Sequence, residues 1–151
     1  MKMMKYLMAL WRSMRVLIDT NILIDFLLKR DPYYKNAKEV LMVCTHENVK
    51  GFIAMHTVSN LWYILRNETH ENRRKCLRII CTALIVCFTN HNEVYNAIKN
   101  TNMKDLEDCM QDSCAYVNKL DYIITRNIKD FKNSRVKVIM PEDFIRKYYS
   151  K

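Results

Sequence analysis

An α/β fold with a parallel central sheet is the architecture this sequence predicts, and three observations predict it. Short apolar runs alternate with amphipathic helical patterns from Met14 onward, as expected of strands buried by crossover helices. Carboxylates and amides fall repeatedly just after those runs, where the carboxyl ends of parallel strands gather ligands. Finally, 151 residues, 50% of them hydrophobic, suffice for one domain with a real core and not for two ordinary ones.

The elements follow in order. Val16 to Ile18 is the first strand, and it ends in Asp19-Thr20-Asn21. Ile22, Leu23, Phe26 and Leu27 then give a helix from about Thr20 to Leu28, which stops before Asp31-Pro32 because proline disfavours helical geometry in the preceding residue. Tyr34 to Cys44 is a second helix. Phe52 to Ala54, after the single glycine Gly51, is the second strand. Val58, Leu61, Trp62 and Leu65 form the stripe of a third helix, with Trp62 and Tyr63 assigned to core and rim packing rather than to base stacking. Arg73 to Thr82 is helical, Leu84 to Phe88 is a third strand, and Glu93 to Lys99 and Asp105 to Asn118 are helical. Tyr122 to Ile124 and Val136 to Ile139 are the last strands, and Pro141 opens the final helix. Helices therefore cover both faces of a sheet of four to five strands. One domain spans 14–151, and 1–13 is expected to be a loosely attached extension.

Composition limits function. The net charge of +9, from 25 Lys and Arg against 16 Asp and Glu, suits a polyanionic partner such as nucleic acid, although an ordinary basic protein has the same balance. Six cysteines without a C-x-x-C pair, mostly in apolar stretches, read as buried reduced thiols and imply a cytoplasmic protein; the four histidines are not spaced with them as zinc ligands. With one glycine, neither a P-loop nor a dinucleotide fingerprint is possible. The apolar stretch Tyr6 to Trp11 is too short for a signal peptide, and no run is long and uncharged enough to span a membrane.

Acids that are distant in sequence, on a basic chain, suggest one carboxylate cluster for a divalent metal. Asp19 caps a strand-to-helix turn on one reading and starts that cluster on another. In the helix opened by Asp105, Asp108 and Asp112 lie within roughly 60° of Asp105 and form an acidic edge. Leu106, Met110, Ser113, Cys114 and Val117 make the adjacent buried face, and Glu107 points away from Asp108. Asp105 itself reads as an N-cap. Thr125, Asn127 and Asp130 follow the fourth strand in quick succession.

Together these segments resemble the PIN-domain ribonucleases. Val16-Leu17-Ile18-Asp19-Thr20-Asn21 is similar to their opening motif. Asp105-Leu106-Glu107-Asp108-x-x-Gln111, Asp121 through Phe131, and Met140-Pro141-Glu142-Asp143-Phe144 are similar to the closing half of one subgroup. The resemblance implies a three-layer α/β/α fold and an acidic pocket that binds Mg²⁺ or Mn²⁺ and cleaves RNA. For small bacterial members it implies the toxin of a type II toxin–antitoxin pair, partnered by an antitoxin and expected to be a homodimer. Asp19 and Asp108 match the family's metal-binding acids, with Asp105 in support. Asp130 takes part of the role of a fourth acid whose position is held here by Asn127, and Asn60 stands where many relatives have glutamate. Those two amides bind a hard cation without adding charge.

Such a site needs no side-chain nucleophile, because a metal-bound water attacks the phosphodiester. Asn21 and Thr125 would hold the carboxylates. Arg66, Arg126 and Lys129, with Lys29, Arg30 and Lys132, are candidates for phosphate contact, although any single one reads first as a solvated surface charge. Two alternatives stay open. One is a non-catalytic PIN-like RNA-binding module, motivated by Asn60 and Asn127. The other is a phosphotransfer domain with Asp19 as nucleophile, which lacks the usual second acid at Asn21.

Overall fold

The computed structural model describes residues 1, 3, 4 and 12–150. Of the expected extension, residues 2 and 5–11 lie outside the described residues. The elements run β1 (Met14–Ile18), α1 (Thr20–Leu27), α2 (Tyr34–Val43), β2 (Val49–Ile53), α3 (Met55–Ile64), α4 (His70–Ala83), β3 (Ile85–Val86), α5 (His91–Lys99), α6 (Leu106–Val117), β4 (Tyr122–Ile124), β5 (Lys137–Ile139) and α7 (Pro141–Tyr149). Among the described residues no helix is long and apolar enough to cross a membrane.

Every strand pairing is parallel, in the order β3-β2-β1-β4-β5. The chain winds outward from β1 through β2 to β3, then returns to β4 on the other side of β1. Winding reverses between β1 and β4, and a crevice opens at their carboxyl ends. Ile18 lies opposite Ile124, so Asp19 and Thr125 emerge side by side at that edge.

Alternation along the strands feeds two cores. Val16, Ile18 and Ile124 pack with Leu23 of α1, Val40 of α2 and Phe144 of α7 on one face. Leu17 and Ile123 pack with Ala97 of α5, Ala115 of α6 and Phe131 on the other. The result is the three-layer arrangement expected from the alternating pattern. Each fully buried Leu, Ile or Phe contributes on the order of 1.5–3 kcal/mol, and both cores mix strand and helix residues.

The differences from the sequence reading have local causes. Helices α4 and α5 start earlier than their apolar spacing indicates, because Thr69 and Asn90 cap them by accepting the Asn72 and Glu93 amides. Strand β2 begins at Val49 and contains Gly51, where a Cβ would meet Leu84 and Cys44. Strand β3 shrinks to two residues, both exposed at the sheet edge. Cys76 is half-buried and Cys81 exposed, so only the other four cysteines fit the buried reading. Leu106 is exposed, because the first turn of α6 stands at the rim of a cleft rather than on the sheet. Asp112 does not sit on an acidic edge. It is fully buried, and its oxygens take Ser134 Oγ at 2.7 Å, the Arg135 amide at 2.8 Å and Arg135 Nε at 2.9 Å. It ties α6 to the segment that enters β5.

Candidate functional site

The crevice at the carboxyl ends of β1 and β4 is an open cleft of about 860 Å³. Asp19 forms its floor. The residue ends β1, precedes α1 and makes no capping hydrogen bond there. Instead its carboxylate is gripped from two other elements. Thr125 Oγ1, just past β4, donates to Oδ2 at 2.7 Å, and Gln111 Nε2 of α6 donates to Oδ1 at 3.0 Å. Burial pushes the Asp19 carboxyl up; the Gln111 and Thr125 hydrogen bonds and the backbone N–H of Asn21 pull it back down, while Glu107 adds to the rise. Thr125 is itself fully buried and its Oγ1 accepts the Asn127 amide at 2.9 Å, which fixes the start of the next loop.

Four more carboxylates line the cleft. Asp105, Glu107 and Asp108 come from the start of α6, and Asp130 from the loop after β4. Asp105 also performs the N-cap role read from its position, accepting the Glu107 and Asp108 amides at 2.8 and 3.3 Å. The Asp108 carboxyl is pushed up to about 7, first by burial and then by repulsion from Asp19, Asp105, Asp130 and Glu107. This repulsion gathers the five acids into one electrostatic unit, although 111 positions separate Asp19 from Asp130.

Glu107 corrects the helical-wheel expectation that it turns away. Thr20 Oγ1 donates to Glu107 Oε1 at 2.9 Å and lies 3.0 Å from Thr57 Oγ1. Thr20 has one proton and spends it on Glu107, so the Thr57 hydroxyl donates to Thr20. This chain joins α1, α3 and α6. The wheel missed it because an angle between neighbours on one helix says nothing about a partner on another.

Asn21, Asn60, Asn127 and Lys129 also line the cleft, together with Lys104 and Lys132. The structure therefore brings together Asp19, Asp108, Asp130, Asn21, Asn60, Asp105, Asn127 and Lys129, with Thr125 beneath them. Arg126 stands differently. Its Nε and Nη2 reach the fully buried Asp25 of α1 at 2.7 and 3.2 Å, and its guanidinium stacks 3.8 Å from the Tyr33 ring centre. That pairing commits it to holding the loop after β4 against α1. Trp62 is half-buried beneath the guanidinium groups of Arg73 and Arg74 rather than in the core, and Tyr63 is 66% exposed on the cleft wall.

The donor set is all oxygen, with neither thiolate nor imidazole in the lining, and it suits a hard divalent cation. Among the described residues no three such side chains close tightly enough to cage an ion by themselves. An ion that keeps several of its waters needs only one or two of them. Asp19 is 3% exposed with one hydrogen bond on each oxygen. Little of it is open for attack on phosphorus.

Residues 15–129 match a family model described as PIN domain. No curated protein matches the chain. Among solved structures, VapBC-1 from nontypeable Haemophilus influenzae superposes with a TM-score of 0.67 at 19% identity, over 85% of this chain and 99% of its own. VapBC2 from Rickettsia felis, bound to a DNA fragment from their promoter, gives 0.63 at 19% identity, over 84% and 98%. VapC20 from Mycobacterium tuberculosis, a sarcin-ricin loop cleaving toxin, gives 0.57 at 14% identity, over 72% and 86%. The superpositions establish a shared fold, and the match over 15–129, which takes in β1 through β4 and most of the acidic cleft, shows that the chain belongs to the PIN-domain family.

Proposed function

We propose that the protein is a metal-dependent endoribonuclease and the toxin of a type II toxin–antitoxin pair. PIN domains are generally nucleases. The observation that carries the reading is the gathering of Asp19, Asp105, Glu107, Asp108 and Asp130 in one cleft of a protein with a net charge of +9. Five acids at one point of a basic surface favour a cation there and a polyanion around it.

Asp19 and Asp108 would hold Mg²⁺ or Mn²⁺, with Asp130 and Glu107 in support. The ion when bound supplies Lewis acidity and lowers the pKa of a water for attack on the phosphodiester. The chain's own residues do the rest. Thr125 and Gln111 fix the two oxygens of Asp19. Thr20 orients Glu107. Asn60 and Asn127 offer neutral amide oxygens, and Lys129, Lys132 and Arg66 draw the phosphate backbone toward a cleft whose acids alone would repel it. The toxin reading is supported by the fold shared with VapBC and VapC proteins, one of them a sarcin-ricin loop cleaving toxin. The same likeness supports an antitoxin partner, and a homodimer is proposed with it.

The test is a cleavage assay on structured and single-stranded RNA with Mn²⁺, with EDTA, and with Asp19→Asn. Cleavage lost in both controls supports the reading; cleavage that survives Asp19→Asn refutes it. A second reading, a non-catalytic RNA-binding module, rests on the amides at Asn60 and Asn127. It predicts salt-sensitive RNA binding without metal-dependent products, and Mn²⁺ binding unchanged by substitution of Asp19 or Asp108.

A further inference from the structure

We infer that Tyr63 is a stacking platform for one unpaired RNA base at the mouth of the acidic cleft, and that the α3–α4 corner beside it carries the adjoining stretch of a single strand. The inference rests on the ribonuclease reading for its ligand class and on separate residues for its geometry.

A tyrosine with an ordinary packing role buries its ring. Tyr63 is 66% exposed, yet it lines the same cleft as the five acids. The Arg66 guanidinium lies 4.7 Å from its ring centre, one helical turn further on. An exposed aromatic with an arginine beside it offers a π-face for a base and a cation for the neighbouring phosphate.

Hydrogen bonds tie the corner together. Arg73 Nε donates to Glu68 O at 3.2 Å, and its Nη2 donates to Arg66 O. Both bonds pin the turn between α3 and α4 and thereby the backbone that carries Arg66. The Arg73 guanidinium also lies 4.9 Å from the Trp62 ring centre, with that of Arg74 at 5.7 Å. Tyr63–Arg66 and Trp62–Arg73–Arg74 thus form two adjacent aromatic and cationic steps that lead away from the cleft. Arg73 is half-buried and gives two of its five donors to backbone carbonyls, so the exposed Arg74 is the freer group on the second step for a phosphate. A duplex has its bases stacked on one another and cannot offer one to Tyr63; a loop or single strand can.

The experiment measures binding of a fluorescein-labelled single-stranded RNA by anisotropy in EDTA at low salt, where no metal-dependent cleavage occurs. The full chain is compared with Tyr63→Ala, Tyr63→Phe and Arg74→Ala, and each is also given a duplex of the same sequence. Tyr63→Ala is expected to weaken single-strand binding about 5- to 100-fold. Tyr63→Phe keeps wild-type affinity, because the ring and not the hydroxyl is used. Arg74→Ala flattens the salt dependence. Duplex binding does not change with Tyr63→Ala. Single-strand binding that is equal in wild type and Tyr63→Ala, including the absence of binding in both, overturns the inference, as does an equal loss on the duplex. Failure of the nuclease reading looks different: no RNA is cleaved with Mn²⁺, while the Tyr63-dependent preference for single strands persists. Tyr63 is exposed, so unchanged melting temperatures separate a lost contact from a lost fold.

Discussion

Gln111 Nε2 and Asp19 Oδ1 meet at 3.0 Å across 92 residues of sequence, and this bond links the α6 helix to the end of the central strand. Gln111 is almost fully buried and its Oε1 has no partner among the described residues, so the side chain is positioned for one task, donation to Asp19. Gln111→Ala is expected to lower RNA cleavage about 10- to 100-fold, as for other groups that orient a metal-binding carboxylate. It also removes an interaction that favours the charged form of Asp19, whose carboxyl is already raised. The acid limb of the pH–rate profile therefore moves to higher pH. A merely structural role would lower the melting temperature and leave that limb in place.

Asp108 predicts how metal binding responds to pH. Its carboxyl is pushed up to about 7 by burial and four neighbouring acids, and a proton there competes with a cation. Mn²⁺ affinity, measured by calorimetry, is expected to be about tenfold weaker at pH 6 than at pH 8, with proton release on binding near pH 7. In Asp108→Asn the affinity is low and this pH dependence is gone.

The same group sets a stability trend of defined sign. The folded protein holds the Asp108 proton more tightly than the unfolded chain, whose value is near 3.8. Between these values the native state binds more protons, so stability falls as pH rises from about 4 to about 7. Asp108→Asn removes the repulsion and is expected to raise the melting temperature of the metal-free protein at pH 8. It does so by roughly 2–4 °C for each kcal/mol relieved, with little change at pH 4. A metal-free variant that melts below wild type at pH 8 contradicts this account of the cleft.

The cleft was legible in sequence where one element sufficed to place a residue, and obscure where a second was needed. Val16-Leu17-Ile18 ending in Asp19 is a buried strand with an acid at its tip, and both facts are local. Asp105 capping its helix is local too. Glu107 enters through Thr20 on another helix, Asp112 is claimed by Arg135, and Arg126 is claimed by Asp25. No periodicity encodes those pairings, so Asp112 read as an acidic edge and Arg126 as a phosphate contact. Trp62 lies on a stripe that looks apolar in sequence, with Tyr63 beside it, but at the corner with α4 Trp62 is only half-buried under Arg73 and Tyr63 is exposed beside Arg66. Leu106 misled for the reverse reason, as the helical face it shares runs past the edge of the sheet.

The Arg126–Asp25 pair makes a stability prediction distinct from any effect on RNA. Asp25 is fully buried and Arg126 satisfies both its oxygens. Arg126→Ala strands that carboxylate and is expected to cost about 3–5 kcal/mol in denaturant unfolding. Adding Asp25→Asn to the same chain recovers part of the loss, because a neutral amide is cheaper to leave without its partner than a charge. A role for Arg126 in phosphate contact alone predicts unchanged unfolding and no such recovery.

Gly51 tests how the sheet accepts its covering helices. A Cβ built there lies 2.4 Å from Leu84 Cδ2, 2.8 Å from Cys44 Sγ and 2.9 Å from Cys44 Cβ, so β2 approaches the ends of α2 and α4 more closely than any side chain allows. Gly51→Ala is expected to cost about 1–3 kcal/mol through this crowding. The partners distinguish crowding from a backbone effect. Leu84 Cδ2 is the far end of a side chain, and truncating Leu84 to alanine opens a cavity that an added methyl can partly fill. Gly51→Ala with Leu84→Ala should then be less destabilised than the sum of the two single changes, since the residues touch and cannot be independent. Strict additivity in that cycle would mean that the glycine serves β2 through its backbone and not through the space it leaves.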